Sequence, residues 1–263
     1  GSPYFRVPYG PLTTTIDIAV DGAVYVLQRN GAVLKYLTSA PATFSVSPPE
    51  PIGRSVAIAL SAQEQQRGSV FLADVDNGAI WLTEQRPDAK GQSQIVRLRP
   101  DGVAEDVLPE HLSARTRAHE YGGGALLADK GLVYFTNDAD QRIWRDAPGA
   151  KPQPLTAEGP WRYADMIADG ARGRIIAVRE DHSGEGEAKN GLVAIDLKTG
   201  AVSELWQRSD FVAAPRLSPD GSRLAFIAWD HPNMPWDSTT LHVAMLDADG
   251  AIARTWDVAP ASE

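Results

Sequence analysis

The sequence predicts an all-β fold, a β-propeller of about five blades (four to six allowed), each a four-stranded antiparallel sheet. Three observations predict it. Short runs rich in β-branched and aromatic residues recur along the chain, among them "TIDIAV", "AVYVLQ", "LVYFTN", "RIIAVR", "LVAIDL", "RLAFIA" and "TLHVAM". Between them stand Asp-Gly pairs at 21–22, 101–102, 169–170, 220–221 and 249–250 and Asn-Gly pairs at 30–31, 77–78 and 190–191. These dipeptides tolerate the positive φ angles of tight hairpin turns. A helical period is sustained nowhere for three turns, and the strand groups recur at about 40 to 50 residues, the period of propeller blades.

Taken in order, the first unit covers 13–47, with strands at "TIDIAV", "AVYVLQ", "AVLKYL" and "TFSV". The second, 55–109, offers "SVAIALS", "SVFLADV", "AIWLTEQ", "SQIVRLR" and "AEDVLPE", one strand more than a blade holds. Either the first of these belongs to an incomplete extra blade or the unit joins two unrelated pieces. A third unit covers 121–156, a fourth 162–207 and a fifth 211–259, the last with "VAAPRLS", "RLAFIAW", "TLHVAML" and "ARTWDVA". The leading "YFRVPYG" is left to pad an edge or to seal nothing. A ring with an incomplete blade has open strand edges, so self-association through those edges is an expected partner interaction.

The totals narrow the function classes. Of 263 residues, 43% are hydrophobic and 22% charged, ordinary for a globular protein. With 34 acidic against 25 basic residues the formal net charge is -9, which repels polyanions, so no nucleic-acid partner is expected. The absence of cysteine excludes disulfides, thiolate nucleophiles and zinc sites built on sulfur. No apolar run approaches the length of about 20 residues that spans a bilayer, and no signal peptide opens the chain. The expectation is a soluble, cytoplasmic protein with no membrane partner. Gly1 and Ser2 read as the remnant of a cleaved tag, which implies recombinant expression.

Several motifs invite a catalytic or metal reading and decline it on local grounds. "REDHSGEG" (179–186) places Ser183 beside His182, yet a nucleophile elbow needs glycine two residues before the serine, and that residue is Asp181. The run lies between two strand-like segments, so a polar hairpin loop is expected, with Asp181 and Ser183 bonding nearby backbone. "DVDNG" (74–78) resembles the opening of a calcium loop, but Gln85 stands where the bidentate glutamate belongs, and "NDADQR" and "DADG" receive the same turn reading. Trp81, Trp144, Trp161 and Trp206 are expected between blades as large rigid fillers. No catalytic residue, metal ligand or cofactor is expected.

From about Phe71 onward the sequence resembles the N-terminal propeller of the prolyl oligopeptidase family, in its bacterial acylaminoacyl-peptidase and dipeptidyl-peptidase branch. The resemblance rests on "WLTEQRPDAKGQSQIVRLRPDG" (81–102), "RTRAHEYGGGA" (115–125), "VYFTNDADQRIWR" (133–145), "GPWRYADMIAD" (159–169), "REDHSGEGEAKNGLVAIDL" (179–197) and "RLSPDGSRLAFIAWDHPNMPWDSTTLHVAMLDADG" (216–250). The N-terminal stretch "LTTTIDIAVDGAVYVLQRNGAVLKYL" with "VFLADVDNGAI" resembles NHL-like propeller blades instead. The expectation is an engineered chimera, an NHL-like fragment over 1–75 fused to a peptidase-family fragment over 76–263; a natural propeller whose first blades diverged is the alternative.

In that family the propeller restricts access to an α/β-hydrolase domain that carries the nucleophile, acid and histidine. The chain stops at Glu263 without such a domain, so no enzyme activity is expected. "HEYGGG" (119–124) is similar to the oxyanion loop of lipases, but Glu120 and Tyr121 intervene. Close backbone packing by the glycines is the better reading, with Tyr121 packed between blades. "WDHPNMPWD" (229–237) is read as a projecting loop and an orphaned interface of Trp229, Asp230, His231, Asn233, Met234, Trp236 and Asp237. The expected function is thus a non-enzymatic scaffold built from two propeller families. The alternatives are a substrate-gating accessory propeller of a serine peptidase and a metal-dependent, lactonase-like propeller.

Overall fold

Glycine-bearing turns and two-residue alternation divide the chain into strands much as the dipeptides predict. The structure, a computed structural model, describes β1 (Thr15–Val20), β2 (Val24–Gln28), β3 (Val33–Leu37) and β4 (Ala40–Val46) by their backbone, and from Ala73 to Ala259 every residue except 77, 87, 88, 100, 102 and 121. Two compact units result, residues 1–74 and 75–263. In the first, β1 to β4 form one antiparallel sheet in chain order, the four strands expected over 13–47. "YFRVPYG", "SVAIALS" and Tyr121 lie outside the described residues.

Four further sheets follow, each a four-stranded antiparallel meander of consecutive strands. They are β5 (Ala73–Asp76) to β8 (Ala104–Asp106) with β6 (Ala79–Arg86) and β7 (Gln92–Leu98); β9 (Leu126–Asp129), β10 (Leu132–Thr136), β11 (Ile143–Asp146) and β12 (Gln153–Pro154); β13 (Trp161–Asp169), β14 (Arg174–Asp181), β15 (Lys189–Asp196) and β16 (Val202–Trp206); and β17 (Phe211–Leu217), β18 (Arg223–Trp229), β19 (Thr240–Leu246) and β20 (Ile252–Ala259). Among the described residues there is no α-helix. None of the described residues forms a helix long and apolar enough to cross a membrane.

Two local expectations change. "AEDVLPE" keeps only Ala104–Asp106 in the ladder; Pro109 has no N–H to offer a sheet, and Leu108 and Leu112 turn inward instead. Asn190-Gly191 is no turn: both residues sit inside β15, opposite Glu180 and Arg179. A Cβ at Gly191 would stand 2.7 Å from the Trp206 carbonyl oxygen, so this glycine serves a close backbone approach, and the reversal is made by 182–188.

The middle strands are buried on both faces, which explains their nearly continuous apolar runs. In β14, Ile176 and Val178 point into one apolar layer with Leu192, Trp206, Val212, Leu224 and Phe226. Their neighbours Ile175 and Ala177 point the opposite way, into a layer with Leu127, Tyr134, Ile143, Tyr163 and Val193. The third layer holds Trp81, Ile95, Leu108, Val133 and Phe135. Alternation along the strands thus assigns successive side chains to successive layers, one between each two consecutive sheets of the four from β5 to β20. Trp81 and Trp206 lie in these layers, and Trp144 and Trp161 pack at their margins.

The first strands of successive sheets lie against one another, β13 between β9 and β17. Matching irregularities fit them together: β13 breaks register between Ala164 and Ile167 and β17 between Ala213 and Arg216, with positive φ at Asp165 (50°) and Ala214 (52°). The Asp165 carboxylate accepts the Gly124 N–H at 2.8 Å through one oxygen and the Ala214 N–H at 3.1 Å through the other. The Asp165 N–H is donated back to the Gly124 carbonyl at 2.8 Å. A Cβ on Gly124 would lie 2.9 Å from Asp165 Oδ1. Gly124→Ala is therefore expected to destabilise the protein by about 1–3 kcal/mol in urea denaturation. Gly184→Ala, which would meet nothing within 4 Å, should be neutral or slightly stabilising.

At the opposite end of β13, the fully buried Asp169 receives Arg174 Nε at 2.8 Å and Arg172 Nη1 at 3.2 Å. The two guanidinium groups continue to the next sheet's turns, donating to the carbonyls of Gly221, Asp247 and Gly250 at 3.0, 3.2 and 2.7 Å. One carboxylate therefore fixes two forks that tie neighbouring sheets together.

Candidate functional site

The titratable side chains gather at the other end of these sheets, where β14 and β18 finish and β13, β15 and β17 begin. Segment 115–120 crosses this end, held by bonds from Arg115 N–H to the Thr136 carbonyl and from Arg117 N–H to the Gln141 side chain. His119 and Glu120 follow with φ of 53° and 62°. Two consecutive left-handed non-glycine residues cost of order 1–3 kcal/mol each, and such strain persists only where the surroundings fix it.

The surroundings do fix it. The His119 N–H donates to Glu180 Oε1 at 2.5 Å. The His119 ring sits 5.5 Å from Trp229 and 6.0 Å from Phe211, which themselves stack 5.3 Å apart. Burial among these rings pushes the His119 pKa below its ordinary value, keeping the imidazole neutral. Buried Glu180 also meets His182 Nε2 at 3.1 Å and Arg162 at 3.7 Å. Arg162 donates further to the Arg117 carbonyl and to Glu120, and its hydrogen bond holds the Glu120 carboxyl below the usual range. One arginine thus serves two carboxylates from separate parts of the chain.

Beside this cluster, His231 presents Nδ1 to Asp210 Oδ2 at 2.9 Å and Nε2 to Glu187 Oε2 at 3.2 Å. Its ring lies 4.9 Å from Phe211. Its own N–H also donates to Asp210, and the Asp210 N–H donates to Asp230 at 2.7 Å. The Asp210 hydrogen bond raises the His231 pKa above its ordinary value. The N–H and ring of His231 in turn hold the Asp210 carboxyl low.

The seven residues expected as an orphaned interface divide. Trp229 is 5% exposed and belongs to β18, wedged against Phe211 and His119; it is a packing residue, which corrects its assignment to a projecting loop. Asp230 and His231 are engaged as described. Asn233 donates its N–H to the Asp230 carbonyl, and Met234 and Asp237 bond one another's backbone or side chain. Met234 and Trp236 are exposed, Trp236 at 73%. Sequence spacing does not signal Phe211 or Arg162, whose partners lie 18 to 92 positions away, and for Glu180 it signals only His182, two residues on.

"NDADQR", "DADG" and the end of "REDHSGEG" form turns or bends, whereas Asp74–Asp76 of "DVDNG" lie in β5. Ser183 donates its N–H to Asp181 Oδ1 at 2.9 Å within the β14–β15 loop. Asp76 accepts the N–H groups of Lys130 and Gly131 from the β9–β10 hairpin. Asp140 accepts from Asn137, Arg142 and Trp144, and Asp247 from Ala251. Among the described residues no group of three His, Asp or Glu side chains is placed to hold a metal ion.

No protein-family model matches the chain, and no curated protein matches it. Solved structures do. Puromycin hydrolase is 35% identical over 73% of this chain and 32% of its own, with a TM-score of 0.67. A puromycin-hydrolyzing peptidase of Mycobacterium tuberculosis is 33% identical over 72% of this chain and 32% of its own, with a TM-score of 0.66. In puromycin hydrolase the similar part is its propeller domain. The fold is a β-propeller. TolB from Acinetobacter baumannii, 13% identical over 91% of this chain and 60% of its own at a TM-score of 0.51, shares the propeller fold alone. The chain spans about a third of the length of the puromycin hydrolases it matches. In this propeller the structural ion pairs of Asp169 occupy one end of the blades, and the strained His119 segment with its charged neighbours occupies the other.

Proposed function

We propose that the chain is a non-enzymatic propeller scaffold, in which a peptidase-family propeller fragment over 76–263 is joined to an NHL-like fragment over 1–75. The observation that carries this reading is the 35% identity to puromycin hydrolase, which extends over 73% of this chain and 32% of that one. The division of the chain into units at 74 and 75 supports the same reading. Purified protein, assayed on puromycin, aminoacyl esters, lactones and short peptides, is expected to give no turnover above buffer. Turnover of any of them that survives repurification would overturn the proposal.

A second reading, a substrate-gating accessory propeller, is favoured by the charged and aromatic cluster of Arg162, Glu180, Phe211 and Trp229. It predicts that the chain binds a separately produced hydrolase domain of puromycin hydrolase and shifts its peptide selectivity. Absence of binding at high micromolar protein would sink that reading and leave the scaffold. For a lactonase-like centre the described acidic groups Asp76, Asp140, Asp165, Asp169 and Asp247 are already engaged by backbone, tryptophan or arginine donors.

A further inference from the structure

The loop at 230–239 joins β18 to β19, and the loop at 182–188 joins β14 to β15, so they belong to adjacent sheets. His231 is where they meet. Its two ring nitrogens each face a carboxylate oxygen, Asp210 at 2.9 Å before β17 and Glu187 at 3.2 Å on the neighbouring loop. Only an imidazolium donates from both nitrogens; a neutral ring turns a lone pair toward one of the two anions. The charged groups facing the ring are Asp210, Glu187 and Asp230, all acidic. We propose that His231 is a proton-operated latch, fastening the 230–239 loop to the 182–188 loop while both ring nitrogens carry protons and releasing it when one proton passes to solvent.

The order of release follows from the partners. Asp210 is held twice, by the ring and by the His231 N–H, whereas the Glu187 side chain is 80% exposed and meets the ring alone. Loss of the Nε2 proton therefore frees Glu187 and the 182–188 loop, while Asp210 keeps the base of the other loop. Asp230 stays on the Asp210 N–H throughout. The 230–239 loop, then tied only at its base, carries exposed Met234 and Trp236 beside the end of the blades where Arg162 and Glu180 lie. Proton concentration thus sets how open that end is.

The sign of the effect is fixed. A histidine whose pKa in the folded protein is raised contributes its full stabilisation below the unfolded value of about 6.5 and loses it as pH rises through the folded value. Asp210, whose pKa is depressed, contributes above the unfolded carboxylate range and loses its share as pH falls through the folded value. The latch is closed in the interval between.

Proton NMR titration of the full chain, with the His231 ring signal assigned by its loss in His231→Gln, gives the midpoint. It is expected above about 6.5. Glu187→Gln, a change on an exposed side chain, should move the midpoint down without altering the melting temperature appreciably. Amide exchange of 182–188 and 230–238, measured as the ratio to His231→Gln at each pH, should show a few-fold protection below the midpoint that vanishes above it. A midpoint at or below the ordinary value, no downward move in Glu187→Gln, or a ratio that does not change across the midpoint would each overturn the latch.

Discussion

Asp169→Ala is expected to destabilise the protein by about 3–5 kcal/mol, as breaking one partner out of a buried ion pair does. Asp169 is fully buried, and the side chains of Arg172 and Arg174 are only 19% and 11% exposed. Its removal leaves two guanidinium groups facing one another beside a cavity, with their bonds to the Gly221, Asp247 and Gly250 carbonyls no longer anchored. Urea denaturation of the variant measures the loss. A change below about 1 kcal/mol would place the cluster with exposed ion pairs and refute its role as a hub. The triple replacement Asp169→Leu, Arg172→Met and Arg174→Leu is expected to recover part of the loss, because the desolvation cost of the charges disappears with them.

Phe135→Ala should cost about 3–5 kcal/mol through lost transfer energy and the cavity left behind. Phe135 is fully buried in the layer between the β5–β8 and β9–β12 sheets, with its ring 6.5 Å from Trp144. Because each layer is shared by two sheets only, amide exchange should accelerate most in β6, β7, β9 and β10 and least in β18 and β19. Uniform acceleration across all the sheets would show that the unit 75–263 opens as one body. Val103→Ala, at a 44% exposed side chain, serves as the control and should change stability by less than about 0.5 kcal/mol.

The strands were legible because alternation and turn dipeptides are local properties, and both survive in the sequence. "RIIAVR" and "LVAIDL" announce two-sided burial by their unbroken apolar character, and β14 and β15 have it. Where the backbone obeyed a distant neighbour, local signals misled. Asn190-Gly191 has the composition of a turn, yet Trp206 requires a glycine beside it in mid-strand. The two-residue β12 carries too little pattern to announce itself. Trp229 lies next to a proline-rich loop and off the parity of Leu224, Phe226 and Ala228, which reads as exposed; Phe211 and His119 cover it from elsewhere. The meetings of Arg162 with Glu120 and of His231 with Glu187 are products of three-dimensional convergence alone. Glu187, just past "REDHSGEG", and His231 of "WDHPNMPWD" supply the two sides of the latch, and nothing in either string indicates the other.

The assignment of alternate side chains to alternate layers also governs how this protein tolerates shortening. Severing the chain at the connection between β16 and β17 would uncover one apolar layer, that of Ile176, Leu192, Val212 and Phe226, and leave the other two whole. Among the four sheets from β5 to β20, a cut between any two consecutive sheets uncovers one of the three described layers and no more. A cut within a blade would be the worse one, since half a blade leaves both a bare layer and a bare strand edge.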